Sequence, residues 1–331
     1  MTKKIISILI IICTLLTLCA CTSSNNDSAN GLDEKASVKI LCTLFPQYDW
    51  VKNIVSGADN VSVSLIIANG TDPHSYQPTA ADIMNISSCD MLVYVGGDSD
   101  TWVKEAIKQS NNENLTAIAL ADLDDIKLRN ISSSSHSHNG EEHEGHSHSV
   151  LDEHLYLSIN NATEAVGELA TAISALDPAS KELYHKNALE YIVKLKNLSE
   201  GFKNDIATVP EEDRFILFAD RFPFVYLLSD YGIDYSAAFE GCTTDVDADF
   251  DTIIRLAKEA DEHNVKYIAV TESSDKSLAN TVILSTKSKD QKIITLNSMQ
   301  SVTNKQIESG ATYLSIMESN INEVKTALGI K

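Results

Sequence analysis

The chain has 331 residues, 43% of them hydrophobic, and its 47 acidic against 26 basic side chains give a formal charge of −21. That length accommodates two domains or one large one. The acidity argues against nucleic acid or anionic lipid as a partner held by general electrostatics. It is compatible with gathering cations, and equally with simple solubility.

The chain opens on Lys3 and Lys4, followed by an apolar run from Ile5 to Leu18. The run is too short to span a bilayer comfortably and reads as an export signal. It ends in Leu18-Cys19-Ala20-Cys21, ahead of the polar stretch TSSNNDSANG. This junction resembles a bacterial lipobox. The resemblance implies removal of residues 1–20 and lipidation of Cys21, with 21–37 as a tether; an ordinary secretory cleavage nearby is the alternative. Either way the mature protein is expected outside the cytoplasm. Cys42, Cys89 and Cys242 then remain, so at most one disulfide can form. Cys42 and Cys89 are the candidate pair, and buried thiols are the simpler expectation. No CxxC spacing suggests structural zinc.

From residue 38 to 160 the pattern alternates. Strands are predicted at 38–46, 61–68, 91–97 and 116–122, with helices at 47–57, 79–87 and 99–110, which implies a mostly parallel sheet flanked by helices. The loop 132–150 interrupts it. Within thirteen residues it holds His136, His138, His143, His146 and His148, among Ser, Gly, Asn and Glu. It has almost nothing apolar to bury, so it cannot pack. Neutral imidazole is the commonest metal ligand, and tracts of this composition bind metal; a merely solvated insert is the plainer alternative.

Residues 161–208 read as a helical linker. Ala162, Val166, Leu169 and Ile173 recur at helical spacing, Asp177-Pro178 breaks the pattern, and Tyr184, Ala188, Tyr191, Leu195, Leu198 and Phe202 form a second stripe. Such a helix, roughly 40 Å long at ~1.5 Å per residue, suits a rigid spine between two halves; a coiled-coil dimer is the alternative, and a monomer is expected. From 209 to 331 the alternation resumes, with strands at 215–220, 233–239, 266–272 and 292–297. The expected fold is therefore α/β: two lobes, each a four-stranded mostly parallel sheet flanked by helices, joined by the spine.

In open parallel sheets, ligands bind beyond the carboxyl ends of the strands. That rule selects His74, His154, Asp220 and Glu272. Two imidazoles and two carboxylates could form a first shell for a divalent cation. Each also has an ordinary alternative. His74 could be a surface histidine. Asp220 could cap a helix or pair with Arg221, and Glu272 could face the N-terminus of the helix that follows.

Two motifs add to this. NGTDPHSYQPTAADI and DEHLYLSINNA resemble the two histidine motifs of the zinc/manganese ABC-transporter substrate-binding proteins, and a His-rich loop before the second histidine is typical of their zinc-uptake subgroup. The resemblance covers the mature chain. It implies that His74 and His154 are metal ligands, with Zn²⁺ as cargo and Mn²⁺ as the lesser alternative. The partners it implies are an ABC permease and its ATPase, at a membrane reached through the lipid anchor. The chain departs from the pattern at the third ligand. Where zinc members have His, it reads LFADRFPF, so Asp220 is the match, and a one-residue shift would put Arg221 there. No carboxylate follows the last strand in Leu296-Asn297-Ser298, which leaves Glu272 of TESSDKS as fourth ligand. Two rivals remain: an exported metallohydrolase, and a metal-buffering or adhesive surface lipoprotein. The hydrolase lacks support from any HExxH or GxSxG; His143-Glu144-Gly145-His146 is one residue short. No enzyme activity is expected.

Overall fold

The structure, a computed structural model, describes residues 32–33, 35–132, 149–239 and 248–330. Cys21 and residues 22–31 of its tether, Cys242 and the five loop histidines from His136 to His148 lie outside the described residues. Among the described residues no helix is long and apolar enough to cross a membrane.

The first lobe runs β1 (Val38–Cys42), α1 (Phe45–Ile54), β2 (Val61–Leu65), α2 (Ala80–Ser88), β3 (Met91–Tyr94), α3 (Thr101–Ser110) and β4 (Thr116–Ala119). All pairings are parallel, in the order β2-β1-β3-β4. The central strands carry unbroken buried runs, Ile40-Leu41-Cys42 and Met91-Leu92-Val93, as a sheet covered on both faces requires. β1 stops earlier than predicted because Pro46 opens a helix. There the Leu44 N–H donates to Gln47 Oε1 at 2.9 Å. Cys42 and Cys89 are free buried thiols, and burial pushes the Cys89 thiol up to about 12.

Two short strands that the sequence did not announce, β5 (Asn130–Ser132) and β6 (Ser149–Leu151), pair antiparallel at the base of the His-rich segment. The linker follows as α4 (Ile159–Leu176) and α5 (Lys181–Ile206). The break falls at Asp177, whose carboxylate accepts from Tyr184 Oη at 2.7 Å and Asn60 Nδ2 at 3.1 Å. α5 has 26 residues, about 39 Å at ~1.5 Å each. Tyr184, Ala188, Tyr191, Leu195 and Phe202 of the predicted stripe are buried, while Leu189 and Val193 are exposed.

The second lobe runs β7 (Phe215–Phe218), α6 (Val225–Ser229), β8 (Asp234–Ala237), α7 (Phe250–Glu262), β9 (Tyr267–Thr271), α8 (Ser277–Ser285), β10 (Lys292–Leu296), α9 (Asn304–Glu308) and α10 (Tyr313–Ala327). Its sheet is parallel in the order β8-β7-β9-β10, the strand order of the first sheet repeated without a sequence repeat. The terminal helical stretch is split near Gly310, whose φ of +94° is a left-handed backbone that glycine tolerates.

One apolar core joins the lobes through the linker and includes Trp50, Tyr184, Phe202, Phe218 and Tyr313. Asp49 fastens the same junction. Its Oδ2 accepts from Tyr191 Oη on α5 at 3.1 Å and from the Tyr313 N–H on α10 at 3.2 Å. Burial raises this carboxyl to about 6 against those two bonds, which lower it. The lobes are thus packed as one body around the spine.

Candidate metal centre

The site lies between the carboxyl ends of the two sheets, where open α/β folds bind ligands. His74 sits on the loop after β2. Asp72 caps the short turn Pro73–Ser75, with Oδ1 accepting the His74 N–H at 3.0 Å. The other Asp72 oxygen faces Arg221 Nη1 of the second lobe at 3.3 Å. The His74 ring places Nδ1 2.7 Å from Ser99 Oγ and 3.8 Å from Glu153 Oε2. Glu153 Oε1 accepts the Ser99 N–H at 2.6 Å. A Cβ at position 97 would collide with the Glu153 side chain, so Gly97 is what lets that carboxylate approach the loop after β3.

His154 follows β6 and is buried. Asp152, also buried, accepts twice through Oδ1: from the His154 N–H at 2.8 Å and opposite His154 Nδ1 at 3.0 Å. A carboxylate against Nδ1 fixes the ring as an Nδ1–H donor and leaves the Nε2 lone pair to point elsewhere. This is the orienting arrangement found behind metal-binding histidines.

Both Nε2 atoms point at one place. Gln300 Nε2 lies 2.8 Å from His74 Nε2 and 2.8 Å from His154 Nε2, and the ring centroids are 5.6 Å apart. The cavity here measures about 10 Å³ and is lined by these three residues with Ser99, Glu153 and Tyr156. That is room for one water-sized occupant, too little for an organic substrate. His74 has its pKa lowered, first by burial and next by His154, which disfavours the protonated ring. Asp100, bonded at Oδ2 by the Val95 and Gly96 N–H groups at 2.7 and 3.0 Å, is raised to about 6 by burial.

The two carboxylates selected from the sequence occupy strand ends of the second lobe, and their oxygens are engaged there. Asp220 Oδ2 accepts from the Thr271 N–H at 2.9 Å and Thr271 Oγ1 at 2.7 Å, and Oδ1 accepts the Arg221 N–H at 2.8 Å. These bonds tie β7 to β9 at the point where the strand order reverses. Glu272 Oε2 accepts the Ser298 N–H at 2.8 Å, and Oε1 accepts Ser298 Oγ at 2.7 Å and Ser301 Oγ at 3.2 Å. Ser298 Oγ also reaches Gln300 Oε1 at 3.3 Å, so Glu272 stands one side chain behind the histidine pair. Among the described residues, no three His, Cys, Asp or Glu side chains gather closely enough to hold one ion. The structure brings His74 and His154 together and leaves Asp220 and Glu272 bonded within their own lobe.

Gln300 carries no such signal in the sequence. The strand-end rule reaches it, four residues past Leu296 of β10, but a neutral amide carries no charge to single it out. Its loop is built with care. Asn320 of α10 brackets Asn297 through both backbone groups, at 2.7 and 2.8 Å. Asn297 Oδ1 accepts the Met299 N–H at 2.8 Å, and Met299 is buried with φ +61°, a left-handed turn that is costly for methionine and swings Gln300 toward the cleft.

The family model for zinc-uptake complex component A, periplasmic, matches residues 40–327. High-affinity zinc uptake system protein ZnuA of Bacillus subtilis is 30% identical over 332 residues and the full length of both chains. Zinc-binding lipoprotein AdcA of Streptococcus pneumoniae is 30% identical over 98% of this chain, which spans 60% of AdcA's own length. Among solved structures, the metal-dependent lipoprotein YcdH of Bacillus subtilis superposes with a TM-score of 0.71 at 26% identity, covering 88% of this chain and 98% of that one. The Zn(II)-bound ZnuA-like domain of pneumococcal AdcA gives 0.68 at 25% identity over 88% and 98%. With the two parallel sheets, the long helix and the paired histidines at the cleft, the chain belongs to the ZnuA family of zinc-uptake complex components.

Proposed function

We propose that this protein captures one divalent cation outside the cytoplasm, zinc before manganese, and delivers it to an ABC permease driven by a cytoplasmic ATPase. One observation carries it above the rest: two buried-side imidazoles from separate loops, each with Nδ1 already bonded, aim Nε2 at a common point 2.8 Å from both. Imidazole nitrogen favours zinc over manganese. The names of the relatives that match along this chain, a zinc uptake protein and a zinc-binding lipoprotein, support the same cargo.

In this reading His74 and His154 are the permanent ligands. Asp220 and Glu272 are the carboxylates that complete a tetrahedral shell, and each gives up hydrogen bonds within the second lobe to do so. Cys21 carries the lipid that keeps the monomeric protein at the membrane. His136, His138, His143, His146 and His148 act as an accessory trap that raises the local metal concentration, each replaceable by its neighbours. The small cleft and the absence of a nucleophile motif weigh against a hydrolase.

The test is a zinc competition titration against a fluorescent chelator. Wild type and a protein lacking residues 133–148 should each retain one tight site, and His74→Ala should lose it. Tight binding that survives in His74→Ala and vanishes with the loop would overturn the proposal in favour of a metal-buffering lipoprotein.

A further inference from the structure

We infer that Gln300 is a displaceable placeholder for the cation: its side-chain NH₂ bridges the two histidine nitrogens when metal is absent, and the incoming ion must evict it. The inference rests on reading the histidine pair as the metal site, but the geometry behind it is independent of any metal.

An amide nitrogen has two hydrogens about 120° apart and no lone pair to give. Gln300 Nε2 stands 2.8 Å from His74 Nε2 and 2.8 Å from His154 Nε2, so one hydrogen can go to each ring. The far side of each ring fits those roles. His154 Nδ1 faces the Asp152 carboxylate, an acceptor, which makes Nδ1 the donor and Nε2 the acceptor. His74 Nδ1 faces Ser99 Oγ, with the Glu153 carboxylate beyond, and the same tautomer is satisfied. The Gln300 backbone is held from behind, because its N–H donates to Ser298 Oγ at 3.4 Å and Ser298 is itself bonded to Glu272. The NH₂ group thus presents two positive hydrogens where a cation would present its charge, and the His154 ring stands in the tautomer that binds metal.

Three consequences follow from elementary chemistry. The nitrogen cannot itself coordinate, so Gln300 has to rotate or withdraw before an ion can bond to both rings. Its bonds join a second-lobe loop to first-lobe histidines, so loading breaks one link between the lobes and makes another. The placeholder also subtracts the same free energy from every ion. It leaves the ratio between two metals unchanged, yet drops ions with little affinity for imidazole below the concentration at which they would occupy the site. A glutamate at 300 could not do this, since an ionised carboxylate would set oxygen lone pairs against two nitrogen lone pairs.

The experiment uses the full chain and has two arms. In the metal-free, ¹⁵N-labelled protein, nitrogen–nitrogen couplings across hydrogen bonds should link the Gln300 side-chain nitrogen to Nε2 of both His74 and His154. In stopped-flow mixing with zinc alone, Gln300→Ala and Gln300→Glu should each associate faster than wild type, by about tenfold for a placeholder worth ~1.4 kcal/mol. Matching thermal unfolding of the variants checks that they fold. Missing couplings in the wild type, or association unchanged or slower in a folded Gln300→Ala, would overturn the inference. Failure of the wild type to bind zinc would instead sink the metal-site reading, and the couplings would still decide whether Gln300 bridges the rings.

Discussion

The two lobes share one strand order, yet their facing edges are prepared differently. On the first-lobe edge His74 and His154 have their Nδ1 atoms bonded to Ser99 and Asp152, and their Nε2 atoms converge. The second-lobe edge is latched: Asp220 binds Thr271, Glu272 binds Ser298 and Ser301, and Gln300 fills the convergence point. A repeated topology therefore presents one edge with two converging imidazoles and one edge whose carboxylates are bonded within their own lobe. The lobes share a common core along α5 and are joined by Asp49.

If the first edge supplies the essential ligands, the largest loss comes there. His74→Ala or His154→Ala should weaken zinc more than about 100-fold, beyond the 10–100-fold typical of groups that merely orient a ligand. Asp152→Asn should fall within that 10–100-fold range, because the His154 ring keeps its place but loses the carboxylate that fixes its tautomer; competition titration ranks all three. Asp220→Asn and Glu272→Gln should cost less, about tenfold, since whatever these carboxylates gain from the ion is offset by the hydrogen bonds they surrender. A loss equal to that of His74→Ala would erase the contrast between the edges. Acidification separates the lobes further. His74 has its pKa lowered from 6.5 by burial, so below pH 6.5 the unfolded chain takes up a proton before the folded one, and folding stability falls as pH drops through that window. A His74→Gln variant should lose that part of the slope in urea titrations at pH 7.5 and 5.5. Smallest for the metal is Tyr191→Phe, which removes a bond to the buried Asp49 carboxylate. Urea unfolding should report a loss of about 1.5–3 kcal/mol, with zinc affinity unchanged.

Periodicity made the architecture legible. The buried runs of β1 and β3 and the apolar stripe of α5 are properties of the sequence itself, and Asp177-Pro178 marked the helix break. Boundaries were less legible where a local bond decides them: Pro46 with Gln47 ends β1 early, and the left-handed Gly310 divides the terminal helices. The short β5–β6 ribbon was invisible because three residues a side carry no pattern. At the site, His74 and His154 could be selected because imidazole at a strand end is chemically conspicuous. The engagement of Asp220 and Glu272 could not be seen, because a carboxylate reads the same whether it faces a cation or the Thr271 and Ser298 groups of its own lobe. Gln300 was missed for a related reason: its position depends on the buried left-handed Met299 and on the Asn320 bracket, both products of the fold.

The most direct measurement is a pair of crystal structures, metal-free and zinc-loaded, with anomalous diffraction at the zinc edge. The expected result is a zinc peak bonded to Nε2 of His74 and His154, with both rings and Asp152 unmoved and with Gln300 and the second-lobe carboxylates shifted. A zinc peak elsewhere, or one beside a Gln300 that still bridges the two rings, would contradict it.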